Sequence, residues 1–204
     1  MSLRKLHTII GLTLLIPFAC WVITAMVFYI KPGYNQAYEF LQVKMYPLEG
    51  QFSAVGDTSW LEVRYKRTIL GNHMFVRALD GWKHLDPITL QPKEKPSHDD
   101  IRKLLMDAFS ANPARYGEVA SISNDTIMTT TNILVILDWD NLSLQQRGPD
   151  TDRIDLLYRV HYLQWTGIKS VDMILGPIGL ALVCVLSILG FRLASTSKKK
   201  THQI

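Results

Sequence analysis

The sequence predicts an α+β protein in which two transmembrane helices flank a small external domain with an antiparallel sheet. Residues 8–30 and 173–191 contain no charged side chain. At about 1.5 Å per residue, a helix over either stretch can cross a hydrocarbon core about 30 Å thick. The residues between the two stretches are polar and mixed, with short strand-like and helical patterns separated by turn signals, which is typical of an α+β domain.

The basic residues at the chain ends set the expected orientation. The ends hold none of the 18 acidic residues. They hold six of the 22 basic residues, which are Arg4, Lys5, Arg192, Lys198, Lys199 and Lys200. Short basic flanks stay on the cytoplasmic side, whereas a long loop crosses largely regardless of its charge. We therefore predict a multi-pass membrane protein with both termini cytoplasmic and residues 31–172 outside, which in a bacterial inner membrane means periplasmic. The net charge of +4 reflects this topology and implies no nucleic-acid partner.

These boundaries divide the chain into six segments. The first apolar run is too long for a signal peptide and has no small-residue cleavage site after it, so we expect an uncleaved anchor. The segments are a cytoplasmic N-terminus (1–7), a first transmembrane helix (8–30), a periplasmic domain (31–150), an amphipathic interfacial segment (151–172), a second transmembrane helix (173–193) and a basic cytoplasmic tail (194–204), which includes His202.

The first part of the external domain is predicted to contain a strand and a hairpin. Lys31-Pro32-Gly33 should end the first helix, and residues 34–50 should begin helical and continue irregularly. Residues 60–70 alternate apolar and charged side chains, as a half-buried strand does. Residues 73–91 read as two strands around an Asp80-Gly81 turn.

A helix and further strands are predicted to follow. Ser97 is the expected N-cap of the helix, and Pro113 marks its expected end. Residues 117–123, 126–140 and 142–148 read as strands, and the helices should cover one face of the sheet. The helix should bury the apolar face formed by Ile101, Leu104, Leu105, Ala108 and Phe109. The segment from residue 151 to 165 has helical spacing of its apolar and aromatic residues, which favours the membrane interface.

Few side chains outside the two apolar runs suggest chemistry. Asp138 and Asp140 lie two apart and could form a metal or acid–base pair, but two acids without a third ligand are expected to be a solvated strand edge. His73, His84 and His98 have no spaced partner and are expected at the surface. Cys20 and Cys184 both fall in the apolar runs, so the external domain has no disulfide. No catalytic motif is present, and we expect no enzyme activity.

Three stretches resemble the PepSY-associated transmembrane proteins. "RKLHTIIGLTLLIPFACWVITA" is similar to the first helix of that family through His7, Gly11, Pro17 and Thr24, with Ala25 in place of the usual glycine. "LDGWKHLDPITLQP" resembles the end of a PepSY repeat through Asp86 and Thr89, with Leu90 in place of glycine. "VHYLQWTGIKSVDMILGPIGLALVCVLSILGFRL" resembles a later family helix through His161, Gly167 and Gly190. The chain is thus identified as a short, two-helix member with a periplasmic PepSY-like domain at residues 31–150.

The resemblance implies candidate cofactor ligands. Larger family members have four transmembrane helices, and they are associated with iron uptake, reductive release of iron from siderophores, and haem carried by membrane histidines. It therefore marks His161 and His7 as candidate ligands of haem b. These two histidines are predicted about 30 Å apart, at opposite faces of the membrane. A second copy of the chain, as in a homo-oligomer, or a partner protein would have to share the haem.

The function expected from these features is that of a non-catalytic accessory protein, which binds other inner-membrane or periplasmic proteins and supports a haem- or iron-linked redox or uptake complex. An alternative is a membrane-tethered regulator, an inhibitor or chaperone, of peptidases or envelope proteins, as soluble PepSY domains are. A third is a component of a siderophore or iron reductase. Gly176, Gly179 and Gly190 should permit close helix packing in any of these roles.

Overall fold

The computed structural model describes residues 2–50 and 57–201. The chain divides into two compact units. The helical unit comprises Met1–Tyr34 and Asp152–Ile204, and the α+β unit comprises Asn35–Thr151. Residues 202–204 of the predicted tail, which include His202, lie outside the described residues.

The helical unit contains two long apolar helices, α1 (Leu3–Ile30) and α6 (Lys169–Thr201). Both are long and apolar enough to cross a membrane, and most of their side chains are exposed. The Ser2 hydroxyl caps α1 by accepting a hydrogen bond from Lys5 N. The helix ends where Lys31 adopts a left-handed conformation with φ 52°, so the predicted stop at Lys31-Pro32-Gly33 is confirmed. Helix α6 extends beyond the predicted span at both ends.

The two long helices pack against each other in antiparallel directions. Gly11 of α1 lies near Leu186 of α6, and Trp21 of α1 lies near Gly179. Residue numbers in contact therefore rise along one helix as they fall along the other. Two short helices complete the secondary structure around the boundary between the units: α2 (Tyr34–Ala37) and α5 (Pro149–His161).

The α+β unit contains two antiparallel sheets rather than the single sheet predicted. The first sheet has the order β1-β2-β3 and the second has the order β4-β5-β6-β7. The strands are β1 (Glu62–Thr68), β2 (Gly71–Ala78), β3 (Gly81–Leu85), β4 (Val119–Ser123), β5 (Thr126–Thr129), β6 (Leu134–Asp138) and β7 (Ser143–Arg147). Every strand pairs with its neighbour in sequence, as short hairpin connections favour, and the helical region between β3 and β4 separates the two meanders.

Most predicted strands of this unit are confirmed, with one correction. The Asp80-Gly81 turn joins β2 to β3, and Gly81 has φ 128°. Residues 126–140, predicted as one strand, form β5 and β6 instead. The left-handed residue Asn132, with φ 61°, turns the chain between them. A polar run of threonines followed by asparagine is a turn signal.

The helix of the α+β unit, α3 (His98–Phe109), forms the centre of the core. The Ser97 side chain accepts a hydrogen bond of 3.2 Å from Asp100 N, so the predicted N-cap is confirmed. All five residues of the predicted apolar face are buried against strands of the second sheet and Phe75 of the first. The helix ends before Pro113, which instead begins the short helix α4 (Pro113–Tyr116), where a proline needs no intrahelical partner for its nitrogen.

The α+β unit begins and ends at neighbouring backbone groups. Thr151 Oγ1 donates to the carbonyl of Ala37 at 3.2 Å, and Gln146 Nε2 donates to the same carbonyl at 2.9 Å. Arg115 holds Gln146 and Asp150 through contacts of 2.7 Å each. The side chain of Arg115 is only 6% exposed, so these contacts compensate a nearly buried charge, and its Nε has no hydrogen-bond partner among the described residues.

Candidate functional site

His161 lies at the C-terminal end of α5, where it contacts α1. Its Nδ1 is 2.7 Å from Thr24 Oγ1, and its backbone carbonyl accepts a hydrogen bond of 2.6 Å from Trp21 Nε1. Phe28 meets the His161 ring edge-on at a centroid distance of 5.2 Å and stacks on Tyr158 at 4.6 Å. We call these five residues the His161 cluster. It joins α1 to the end of α5 through two polar contacts and an aromatic stack.

The hydrogen bonds of Thr24 determine which nitrogen of His161 carries a proton. Thr24 Oγ1 lies 2.6 Å from the carbonyl oxygen of Cys20. Two oxygens at that distance repel unless a proton lies between them, so the hydroxyl donates to the carbonyl. Its oxygen is then the acceptor for His161 Nδ1–H. The neutral ring therefore keeps its lone pair on Nε2, which has no hydrogen-bond partner among the described residues.

His7 lies at the other end of α1. A Cβ added at Gly190 would be 3.3 Å from His7 Cε1, so the imidazole packs closely against α6 there. His7 Nδ1 is buried and has no hydrogen-bond partner among the described residues. His7 and Thr24 are seventeen positions apart in one helix, or about 25 Å along its axis. One chain therefore keeps His7 and His161 far apart, and this separation is the one that the sequence predicts.

The glycines predicted to permit close helix packing differ in how tightly they are enclosed. An added Cβ at Gly179 would lie 2.9 Å from Leu163 Cδ1 and 3.1 Å from the ring of Trp21. At Gly176 the nearest atom is a carbonyl oxygen at 3.4 Å, and Gly190 lies against His7. Of these three glycines, Gly179 is the most tightly enclosed.

No protein-family model, curated protein or solved structure matches this chain. The similarity to PepSY-associated proteins is therefore a hypothesis based on the short motifs alone. Any role for the chain has to rest on the contacts and chemistry of its own residues.

The α+β unit contains a pair of buried histidines that the sequence analysis placed at the surface. His73 is fully buried and His84 is 6% exposed, so that expectation is wrong for both. For His98, which is exposed, it is confirmed. His73 Nδ1 lies 3.0 Å from His84 Nε2, and the ring of Trp139 packs against both histidines.

The hydrogen bonds of this pair run in one direction. The carbonyl of Trp139 can only accept, so His84 Nδ1, at 2.9 Å from it, carries a proton and donates. His84 Nε2 is then the acceptor for His73 Nδ1–H. His73 Nε2 accepts in turn from the Thr68 hydroxyl at 2.8 Å. Every ring nitrogen is satisfied while both rings are neutral. If both rings were charged, His73 Nδ1–H and His84 Nε2–H would face each other with no acceptor between them.

Burial keeps the histidine pair neutral. Burial, followed by the neighbouring His84, Lys93 and Lys66, lowers the pKa of His73 to about 3, while Asp86 acts in the opposite direction. Burial also lowers the pKa of His84, despite its hydrogen bond to the carbonyl of Trp139. Both histidines are therefore structural polar groups of the core at neutral pH. The hairpin register could have indicated this, because the Asp80-Gly81 turn places His84 opposite the apolar Phe75.

The two aspartates at the end of β6 have different environments. Asp138 stabilises the turn that follows the strand, and Asp140 is exposed to solvent. Asp138 accepts hydrogen bonds from the backbone and the side-chain amide of Asn141. Within residues 2–50 and 57–201, no three His, Cys, Asp or Glu side chains are grouped to hold a metal ion.

Replacing Gly179 with alanine should weaken the helical unit. The added methyl group meets Trp21, whose indole is held in place by its hydrogen bond to His161, and overpacking of this kind costs about 1–3 kcal/mol. Gly179→Leu should have a larger effect. The matched control is Gly11→Ala, because a Cβ there meets Leu186 only at an ordinary 3.6 Å. Thermal unfolding in detergent measures the difference, and equal stability of the Gly179 and Gly11 variants would contradict the packing role.

The buried histidines should make the α+β unit less stable in mild acid. Unfolded histidine binds a proton below about pH 6.5, whereas folded His73 does so only near pH 3. The free energy of unfolding should therefore fall by about 2 kcal/mol from His73 alone between pH 6.5 and 5. His73→Gln should reduce this pH dependence, and His98→Gln should leave it unchanged. Urea unfolding at several pH values is the measurement, and identical slopes in all three proteins would exclude the pair as the cause.

Proposed function

We propose that this chain is a membrane-anchored, non-catalytic accessory protein whose α+β unit binds a protein partner. One observation carries the proposal. Helices α1 and α6 pair with each other and still leave most of their apolar surface exposed. A lipid bilayer is the environment that covers such surface without cost, and the compact α+β unit would then lie in water.

The antiparallel helix pair supports a topology with both termini on the same side. Antiparallel membrane helices joined by an inserted domain return the chain to the side from which it started. The basic residues at both ends favour the cytoplasmic side. The two helices would accordingly cross the inner membrane of a bacterium, and the α+β unit would be periplasmic.

Features of the β3 turn support the likeness to a PepSY repeat. Asp86 Oδ1 accepts from the backbone N–H groups of Ile88 and Thr89, and its other oxygen accepts from Lys93 Nζ at 2.7 Å. The Lys93 contact, followed by these backbone bonds, lowers the pKa of Asp86 to about 2. Leu90 has φ 58°, a conformation that glycine adopts more readily. Leu90 is the position at which the family has glycine.

A haem-linked role is favoured by the geometry of His161. A histidine that ligates iron through Nε2 usually donates Nδ1–H to a fixed acceptor, and Thr24 occupies that position. Aromatic neighbours shield the ring on two sides. A bound haem would supply one-electron transfer. Since His7 lies at the other end of the helix pair, the opposing ligand would come from a second copy or a partner.

The proposed topology predicts the activity of two reporters. A reporter enzyme that is active only in the cytoplasm should be active when it is fused after Ile204. A reporter enzyme that is active only in the periplasm should be active when it is inserted near Lys95. As the control, each reporter is also placed at the other site, where it should be inactive. The reverse pattern would contradict the orientation, and activity of both types at one site would contradict a single topology.

The haem hypothesis predicts a b-type absorption spectrum from protein purified out of membranes in mild detergent. His161→Ala should abolish that spectrum and leave membrane insertion intact, because the apolar residues of α6 are unchanged. Thr24→Val, which removes the acceptor for Nδ1–H, should shift the reduction potential or weaken haem retention. His7→Ala should leave the His161-dependent signal in place. A spectrum that survives loss of His161, or protein without iron, would leave the His161 cluster as a helix anchor only.

A further inference from the structure

The first sheet of the α+β unit carries a small open cleft of about 130 Å³. It is lined by Arg64, Lys66, Phe75, Trp82 and Asn141, which we call the Arg64 cleft. The first four come from β1, β2 and β3, and the fifth from the turn after β6. All five belong to one compact unit, so the shape of the cleft depends on the fold of that unit alone.

The strand register explains why these side chains share one face. Arg64 pairs with Phe75, and Arg77 pairs with Trp82. Side chains two apart in a strand point to the same face, so Arg64 and Lys66 lie together on β1. Lys83, one residue beyond Trp82, belongs to the opposite face.

The cleft has more positive than negative charge. Glu62 is shared between Arg64, at 2.7 Å, and Arg77, at 3.8 Å. Lys66 has no carboxylate within ion-pair distance among the described residues. Burial and the charge of Arg64 both lower the pKa of Lys66, as expected for a cation without a counter-ion. Arg64 and Arg77 thus share one carboxylate, and Lys66 has none in the described part of the chain.

Aromatic rings hold the cations in place. The guanidinium carbon of Arg64 is 4.5 Å from the ring centroid of Trp82, and Lys66 Nζ is 4.7 Å from that of Phe75. Contacts of this kind restrict long side chains before a ligand arrives, which reduces the entropy lost on binding. Asn141 donates its side-chain amide to Asp138, which holds the Asn141 side chain in place.

We propose that the Arg64 cleft binds a carboxylate side chain from an acidic segment of a partner protein. The inference rests on the proposed partner-binding role of the α+β unit and names the surface and the chemistry of that partner. Sites for whole small molecules usually span about 300–1,000 Å³, whereas this cleft has room for one side chain. Trp and Arg are also the residues in which interface binding energy concentrates. Charge complementarity selects an acidic occupant.

The test uses the full chain in phosphatidylcholine nanodiscs, with its tryptophans labelled with fluorine for NMR. The probe is an acetylated tetraglutamate amide, and Trp82→Phe identifies the Trp82 signal. Titration should shift that signal, and the matching tetraglutamine peptide should have no effect. Lys66→Met should weaken binding about tenfold, since it removes a charge-assisted hydrogen bond to the carboxylate. Lys83→Met, on the opposite face, should change binding less than twofold.

Each other outcome would overturn the proposal. An unmoved Trp82 signal excludes the cleft as the site. Equal losses in the Lys66 and Lys83 variants indicate general charge attraction. Tighter binding of inorganic phosphate, or occupation of the cleft by phosphatidylglycerol in anionic nanodiscs, assigns it to a phosphate group or to lipid. Because the titration does not depend on orientation or haem, its failure is distinguishable from failure of the reporter and spectral tests of the proposed function.

Discussion

The guanidinium of Arg115 is the interaction on which the arrangement of the α+β unit depends. It is nearly buried, and it contacts Asp150 and Gln146 at 2.7 Å, while Gln146 bonds the carbonyl of Ala37. A buried charge of this kind is unfavourable without partners, and removing one partner typically costs about 3–5 kcal/mol. The pairing therefore fixes the first and last residues of the unit beside each other. Adjacent ends let the chain enter and leave the unit at one place.

The local signals in the sequence were sufficient for the helices and for most strands. Uncharged length predicts α1 and α6, a serine before two aspartates predicts the start of α3, and Asp80-Gly81 predicts the first hairpin. These features depend on residues close in sequence, and the structure agrees with them. The division into two sheets was not predicted, because it depends on which strands pair across the helical region from α3 to α4. That pairing leaves no local pattern, and the threonine-rich turn inside residues 126–140 was mistaken for strand.

The histidines show the same limit at the level of single residues. Sequence spacing gave His161 its place at the end of an aromatic helix, but the partner that orients its ring, Thr24, is 137 positions away. His73 and His84 were assigned to the surface because neither has a metal-like spacing. Their burial follows from strand parity and from Trp139, 55 positions beyond His84. A histidine is polar enough to suit either environment, so only its hydrogen-bond partners decide which one it occupies.

The buried histidines and the Arg64 cleft are connected through Phe75. The ring of Phe75 stacks on His84 at a centroid distance of 4.4 Å and also lines the cleft. Because the histidine pair is neutral near pH 7, it adds no charge beneath that floor. The positive charge of the cleft then comes from Lys66 and from Arg64, whose guanidinium stays ionised at any physiological pH. The neutral histidines thus add no charge of their own, and the attraction for an anion rests with the side chains that line the cleft.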